Sequence, residues 1–157
     1  MAQSRRRTGI SLSWSLPPFP YVKLNVDGSS LGNPGLTGVG GILRNHTGRV
    51  LKAFSTFYGF CTNTEIEAMA LLEGLRLVPW RIDTIIRQVR QEISKADVIL
   101  EHCYRELNSA ADALTKGAAA RKCSTTYDAT TLPPPVKGIS TLDIRQFPYV
   151  HLLRALD

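Results

Sequence analysis

The sequence predicts an α/β fold in which three antiparallel strands precede helices and a buried parallel strand. Apolar and polar residues alternate over Tyr21–Asp27, which is the pattern of a half-buried strand. Leucine and alanine recur at helical spacing after Thr62. The short run Val98-Ile99-Leu100 has no polar alternation, which suits a parallel strand covered on both faces. Together these patterns predict a mixed sheet with helices packed on it.

The first half of the chain is predicted to form a three-strand meander over Tyr21–Asp27, Gly38–Arg44 and Arg49–Tyr58. Asp27 is expected to end the first strand, and the glycine-rich loop Gly28–Gly35 to follow it. The second strand contains so many glycines that we expect another backbone to approach it closely.

Three helices are predicted after the meander. The first begins near Thr62 with Glu65 and Glu67 in its first turn and buries one apolar stripe, Ala68, Leu71, Leu72 and Leu75. The second begins near Pro79 and carries the apolar series Ile82, Ile85, Ile86, Val89 and Ile93. The third is capped by Asn108 or Ser109, runs to about Lys116, and packs through Ala110, Ala113, Leu114 and Gly117.

Both ends of the chain differ in composition from its middle. Residues 1–20 predict a flexible leader, residues 21–120 the folded domain, and residues 121–157 a proline-containing tail. Pro133-Pro134-Pro135 favours polyproline II and ends any helix. Two alternatives stay open for the tail: it is disordered, or Leu142–Leu153 folds back as a short amphipathic cover.

The bulk composition narrows the function classes. A chain of 157 residues is one domain's worth, and its net charge of +6 favours a polyanionic partner. Its three cysteines lack the spacing of metal ligands and predict reduced thiols. With no apolar run of membrane-spanning length and no secretory signal, we expect an intracellular monomer without membrane contact, in the nucleus rather than the cytoplasm.

Three segments resemble one known family. Val22–Gly35, read with Gly38–Asn45, resembles the first hairpin of type 1 ribonuclease H. Thr62–Leu75 is similar to that family's first helix, and His102–Lys116 to its last catalytic helix with the preceding loop. The resemblance covers Tyr21 to about Ala120, and its details are similar to the plant retroelement-type subgroup associated with reverse transcriptases.

The resemblance implies a three-layer ribonuclease H-like sheet and magnesium-dependent endonucleolytic cleavage of the RNA strand in RNA–DNA hybrids. It implies that Asp27, Glu67 and Asp112 are catalytic and bind two Mg²⁺ ions, which Mn²⁺ could replace, and that His102 assists proton transfer. It also implies hybrid contacts by Gly28, Ser29, Asn33, Thr62 and Asn63. Each residue has a simpler interpretation as well: first-turn acids complement a helix dipole, and the others suit turns and caps.

One strand–helix unit of the family is absent from this sequence. Leu75-Arg76-Leu77 runs directly into Val78-Pro79-Trp80, whereas a crossover unit needs roughly 30 residues. The family's fourth acid is lost with that unit, and Asp83, behind a proline in a helix, does not replace it.

We expect Val98–Cys103 to pair with Tyr21–Asp27 in the vacant slot, which would bring Asp112 near Asp27. Otherwise the centre of the sheet stays unpaired, or the gap reflects a truncated gene model or a splice variant. Three functions therefore stay open: an impaired hybrid ribonuclease, a non-catalytic nucleic-acid-binding module, and a degenerate structural remnant of a retroelement.

Overall fold

The structure is a computed structural model that describes residues 9–77, 101 and 103–152 of the chain. The predicted second helix from Pro79, the apolar run Val98–Leu100 and His102 lie outside the described residues. The pairing predicted for Val98–Cys103 falls mostly on the same segment, and Cys103, which is described, belongs to no strand.

Two antiparallel sheets are present in the described part of the chain. The smaller sheet pairs β1 (Gly9–Leu12) with β6 (Tyr149–Leu152). The larger has the order β2-β3-β4-β5 and consists of Lys23–Gly32, Gly35–Arg44, Val50–Cys61 and Thr125–Tyr127. The predicted meander is thus confirmed, but its fourth strand is β5 beside β4, a segment that the sequence analysis assigned to the tail.

The described helices are α1 (Asn63–Arg76), α2 (Ser109–Arg121) and α3 (Pro134–Ile144), with a 3-10 turn over Arg105–Asn108. Thr62 caps α1 as predicted: its side chain accepts from the Glu65 amide, and the Glu65 carboxylate accepts from the Thr62 amide. Helix α2 begins at Ser109 as predicted and runs beyond Lys116 to Arg121.

Asp27 lies in the middle of β2, so the prediction that it ends the strand was wrong. The strand continues to Gly32, because β3 pairs with it residue by residue until Gly32 meets Gly35. The turn is thereby reduced to Asn33 and Pro34, with Gly32 at a φ of 107° that favours glycine.

The large sheet lies between α1 and α2, which gives the three layers that the sequence analysis expected. A Cβ at Gly28 would lie 2.6 Å from the Ile66 carbonyl oxygen of α1. A Cβ at Gly40 would lie 2.5 Å from the Thr115 amide nitrogen of α2. Neighbouring residues of a strand face opposite sides. Asp27 therefore shares the α2 side of the sheet, while Gly28 faces α1.

The buried face of α1 differs from the predicted stripe. Ile66, Ala70 and Gly74 are buried against the sheet, whereas Leu71, Leu72 and Leu75 are 37%, 39% and 43% exposed. The predicted Ala68 is exposed too. The helix approaches β2 so closely that its small residues must face the strand, with Gly74 lying against Val26.

Both ends of the described chain are packed against the domain, which corrects two expectations. Within the predicted flexible leader, Gly9–Leu12 form β1 and Trp14 is only 1% exposed. Within the tail, α3 begins at Pro134, inside the proline run that was predicted to favour polyproline II and to end any helix. Proline is compatible with the first helical positions because the amide it lacks has no partner within the helix. The tail therefore folds back earlier than predicted, with Val136 buried.

The described residues include no helix that combines the length and the apolar character needed to cross a membrane. The three cysteines, Cys61, Cys103 and Cys123, carry free thiols.

Candidate metal and nucleic-acid site

An open cavity of about 580 Å³ lies between β2 and the N-terminal end of α2. Strand β2 contributes three consecutive residues to its wall, and the segment leading into α2 contributes the rest. The lining residues are Asp27, Gly28, Ser29, Cys103, Tyr104, Arg105, Glu106, Asn108 and Asp112.

Asp27 is the lining residue whose ionisation is most strongly perturbed. Burial, and after it the negative charge of Asp112, raise its pKa from the ordinary 3.8 to about 6. The Arg105 and Lys116 side chains and a hydrogen bond from the Gly28 amide act in the opposite direction. A carboxyl group whose pKa is raised by burial and by a second carboxylate in a cleft is a common feature of functional sites.

Asp112 lies in the first turn of α2 and carries the second carboxylate of the cavity. Lys116 Nζ donates to Asp112 Oδ2 at 2.6 Å, from one turn further along the helix. The Arg105 guanidinium lies 3.9 Å from Asp112 Oδ1. The charge of this carboxylate is therefore partly compensated by side chains of its own helix and of the preceding turn.

Two side chains from the Asp112 segment bind the backbone of β2. Asn108 Nδ2 donates to the Val26 carbonyl oxygen at 2.8 Å. Thr115 Oγ1 donates to the Asp27 carbonyl oxygen at 2.9 Å. Neither Thr115 nor Asn108 was predicted from the sequence to belong to the site. The sequence signal that could have identified Thr115 is that it is a polar residue one turn after Asp112, in a chain whose strand β3 is rich in glycine.

Glu67 does not line the cavity with the other two predicted metal ligands. It is exposed on α1, which packs on the opposite face of the sheet, and it is not among the residues that line the cavity. Within the described ranges, no three acidic, histidine or cysteine side chains form a group that could hold a metal ion. The structure thus brings together Asp27 and Asp112, and His102 lies outside the described residues.

The predicted nucleic-acid contacts divide into two places. Gly28 and Ser29 line the cavity beside Asp27. Asn33, Thr62 and Asn63 lie where the β2–β3 turn meets the start of α1. There Asn33 Oδ1 accepts from the Asn63 amide at 3.4 Å, and Thr62 caps the helix. Their described contacts are those of turn and cap residues.

The chemistry of the cavity suits a hard divalent cation. Asp27 and Asp112 supply carboxylate oxygens, which Mg²⁺ prefers, and a cation between them would relieve the repulsion that raises the pKa of Asp27. Glu106 is a third acid in the lining. The ion pair of Lys116 with Asp112 competes with such a cation.

Comparison with known proteins is consistent with this geometry. Residues 25–82 match the reverse transcriptase-like family. A protein of Arabidopsis thaliana named as a ribonuclease H is 41% identical over 64 residues, which are 41% of this chain and 10% of that protein. Ribonuclease H of Escherichia coli is 40% identical over 78 residues, 47% of this chain and 49% of that protein. The chain thus spans about a tenth of the length of the Arabidopsis thaliana relative and about half of the length of the Escherichia coli relative.

Solved structures show the same fold. The crystal structure of LC11-RNase H1 in complex with an RNA/DNA hybrid has a TM-score of 0.53 and 22% identity, and covers 65% of this chain and 99% of that one. A second LC11-RNase H1 structure, from compost, has a TM-score of 0.52 and 24% identity, and covers 64% and 96%. The solved structures, the family match and the relatives agree that the described domain has a ribonuclease H-like fold.

Proposed function

We propose that the chain binds RNA–DNA hybrid over this cavity and hydrolyses the RNA strand in the presence of Mg²⁺, at a rate reduced by its incomplete set of acids. One observation carries the proposal: Asp27 and Asp112, from distant parts of the chain, line one cavity, where the charge of Asp112 helps to raise the pKa of Asp27. LC11-RNase H1, which has the same fold, was solved in complex with an RNA/DNA hybrid, and this supports the choice of substrate.

The donor set defines what this chain's residues would do. Asp27 and Asp112 would hold the divalent cation, because they are the two predicted metal ligands that line the cavity. When bound, such a cation activates water and stabilises the charge of the departing oxygen. Arg105 and Lys116 place positive charge beside the carboxylates, where the phosphates of a polyanion would lie.

Glu67 and His102 keep their proposed roles on the strength of the resemblance. Glu67 follows the α1 cap, and the Glu67 amide nitrogen would lie 3.1 Å from a Cβ at Gly28, so its backbone is adjacent to β2. To act as a ligand, the exposed Glu67 side chain would have to turn toward the cavity. Asn33, Thr62 and Asn63, which lie beside the start of α1, would contact the hybrid.

A non-catalytic binding module is the second candidate function. The observation in its favour is the 2.6 Å contact between Lys116 and Asp112, which occupies a carboxylate oxygen that a cation would need. The exposure of Glu67 on the other face of the sheet points in the same direction. Such a module would bind hybrid through the same cavity without turnover.

A cleavage assay on a labelled RNA–DNA hybrid with Mg²⁺ tests the proposal. Asp27→Asn should abolish cleavage, while Asp128→Asn, which changes an exposed aspartate outside the cavity, should leave it intact. Cleavage that survives Asp27→Asn would exclude this active site. Hybrid binding without cleavage by the unmodified chain would establish the second candidate, and failure to bind any nucleic acid would favour a structural remnant.

A further inference from the structure

Strand β2, which carries Asp27, has one strand neighbour in the described part of the chain, namely β3. A strand with a single neighbour leaves backbone groups that need other partners. The carbonyl oxygens of Val26 and Asp27 receive hydrogen bonds from the side chains of Asn108 and Thr115. Both donors belong to the segment that also carries Asp112, so the two halves of the cavity are tied together at the position of Asp27.

Thr115 reaches the strand through a gap in the sheet surface. Asp27 pairs with Gly40 of β3, and a Cβ at Gly40 would lie only 2.5 Å from the Thr115 amide nitrogen. The missing side chain of Gly40 therefore lets α2 lie directly on the hairpin. Thr115 itself is fully buried, so its hydroxyl has no access to water as an alternative partner.

The same helix turn sets the relation between the two carboxylates. Asp112 and Thr115 are three residues apart on α2 and thus neighbours on its surface. Asp112 repels the carboxylate of Asp27, while Thr115 binds the backbone of Asp27. Thr115 therefore binds the backbone of Asp27 at the same place where the charge of Asp112 repels the Asp27 side chain.

We propose that Thr115 is a positioning residue that, together with Asn108, holds Asp27 in the cavity that Asp112 also lines, where the two acids would share a cation. This inference rests on the proposed function, because it assigns to Thr115 the geometry of the proposed cation site. The close contact of Gly40 with the Thr115 backbone is then needed for Thr115 to reach Asp27.

The test compares two buried hydroxyl groups that join α2 to the sheet. Thr115→Val removes the hydrogen bond to Asp27 with little change in volume. Ser55→Ala is the matched control, because Ser55 Oγ donates to the Leu114 carbonyl oxygen at 2.9 Å, one residue away on α2, without touching β2. Thr115→Ser restores a hydroxyl at the same position and should behave as the unmodified chain does.

Amide hydrogen exchange of the metal-free chain is the first readout. The amides of Asp27 and Gly28 should exchange about fivefold faster or more in Thr115→Val than in Ser55→Ala, the size expected for one hydrogen bond. Mg²⁺ titration by calorimetry is the second readout, with affinity lowered by a similar factor in Thr115→Val alone. Equal exchange and equal affinity in the two variants would overturn the proposal.

The two proposals fail in distinguishable ways. If the unmodified chain binds no Mg²⁺, the proposed function is lost, but the exchange comparison still decides whether Thr115 holds Asp27. If Thr115→Val does not fold, Asn108→Ala at the half-buried start of α2 replaces it, with Ser109→Ala as its control. Faster exchange at Asp27 in Asn108→Ala supports the proposal, and exchange equal to that of Ser109→Ala contradicts it.

Discussion

Two clusters of charged side chains in this domain have opposite designs. In the cavity, Asp27 and Asp112 are like charges, and burial together with the charge of Asp112 raises the pKa of Asp27 to about 6. In the interior, Arg44 and Asp143 are opposite charges joined at 2.7 Å, with side chains 0% and 2% exposed. The first arrangement costs stability and leaves a site for a cation, whereas the second neutralises itself.

The interior cluster shows what a structural charge looks like in this fold. The Arg44 guanidinium stacks 3.7 Å from the Trp14 ring centroid and also donates to Asn25 Oδ1 at 2.9 Å. Asp143 also accepts from the Tyr149 hydroxyl at 3.1 Å. This network joins β2 and β3 to the segment after β1, to α3 and to β6. A buried charge paired with its opposite is typical of architecture, whereas a carboxylate beside a second carboxylate in a cleft is typical of a functional site.

Breaking the interior pair should produce the largest effect. Asp143→Asn leaves the buried Arg44 charge without its partner, which we expect to lower the free energy of unfolding by about 3–5 kcal/mol. Urea denaturation at pH 7 measures the loss.

The double variant Arg44→Met with Asp143→Leu is the control for that prediction. Replacing both ions by apolar groups of similar volume removes the unpaired charge, so the double variant should be more stable than Asp143→Asn. If the double variant is less stable than Asp143→Asn, the contacts of Arg44 with Trp14 and Asn25 contribute more to stability than the unpaired charge costs.

Neutralising the cavity acid should act in the opposite direction. Because the pKa of Asp27 is raised from 3.8 to about 6, the folded state binds its proton more tightly than the unfolded state does. The ionised carboxylate therefore costs stability above pH 6, and that cost disappears as the pH falls toward 4. Asp27→Asn should stabilise the domain by about 1–2 kcal/mol at pH 7, allowing for partial screening by solvent.

The pH dependence gives this second prediction its check. Unfolding free energies of Asp27→Asn and the unmodified chain, measured from pH 4 to pH 7, should converge toward the acidic end. Curves that stay parallel over this range would mean that the stabilisation has a cause other than the charge of Asp27.

Removing the Lys116 ammonium group, which competes with Mg²⁺ for Asp112, should have a smaller effect. Lys116→Met frees Asp112 Oδ2 and removes a positive charge that lowers the pKa of Asp27. We expect Mg²⁺ to bind about three- to tenfold more tightly, equivalent to roughly 1 kcal/mol. Calorimetry with Lys52→Met, an exposed lysine of β4 outside the cavity, provides the comparison; identical affinities would place the cation elsewhere.

An exposed ion pair should contribute least to the free energy of unfolding and provides a reference for the buried pair. Arg76 lies 2.8 Å from Glu73 on α1, with 64% of its side chain exposed. Arg76→Gln should change the unfolding free energy by no more than about 0.5 kcal/mol, because solvent screens the pair. If the unfolding free energy falls as much as in Asp143→Asn, exposed and buried ion pairs contribute equally to the stability of this domain.

Much of the site was predictable because its parts are local. The alternation before Asp27, the cap at Thr62 and the start of the helix that carries Asp112 are each encoded within a few residues, and each is confirmed. The glycines of β3 also signalled a close backbone approach, which α2 provides at Gly38 and Gly40. The resemblance then identified the two acids that share the cavity.

Other features depended on contacts between distant segments. Pattern alone placed the leucines of α1 inside, but the close approach of that helix to β2 turned Ile66, Ala70 and Gly74 inward instead. No local signal announced that Arg44 would be buried, since its partner Asp143 lies 99 residues away.

Sequence by itself determined which acids are available and which local elements carry them. Tertiary structure decided that Asp27 and Asp112 share one side of the sheet while Glu67 lies on the helix of the other side. The physical reason is the strand's alternation: the face that each residue presents is local, but which helix covers that face depends on packing across the whole domain.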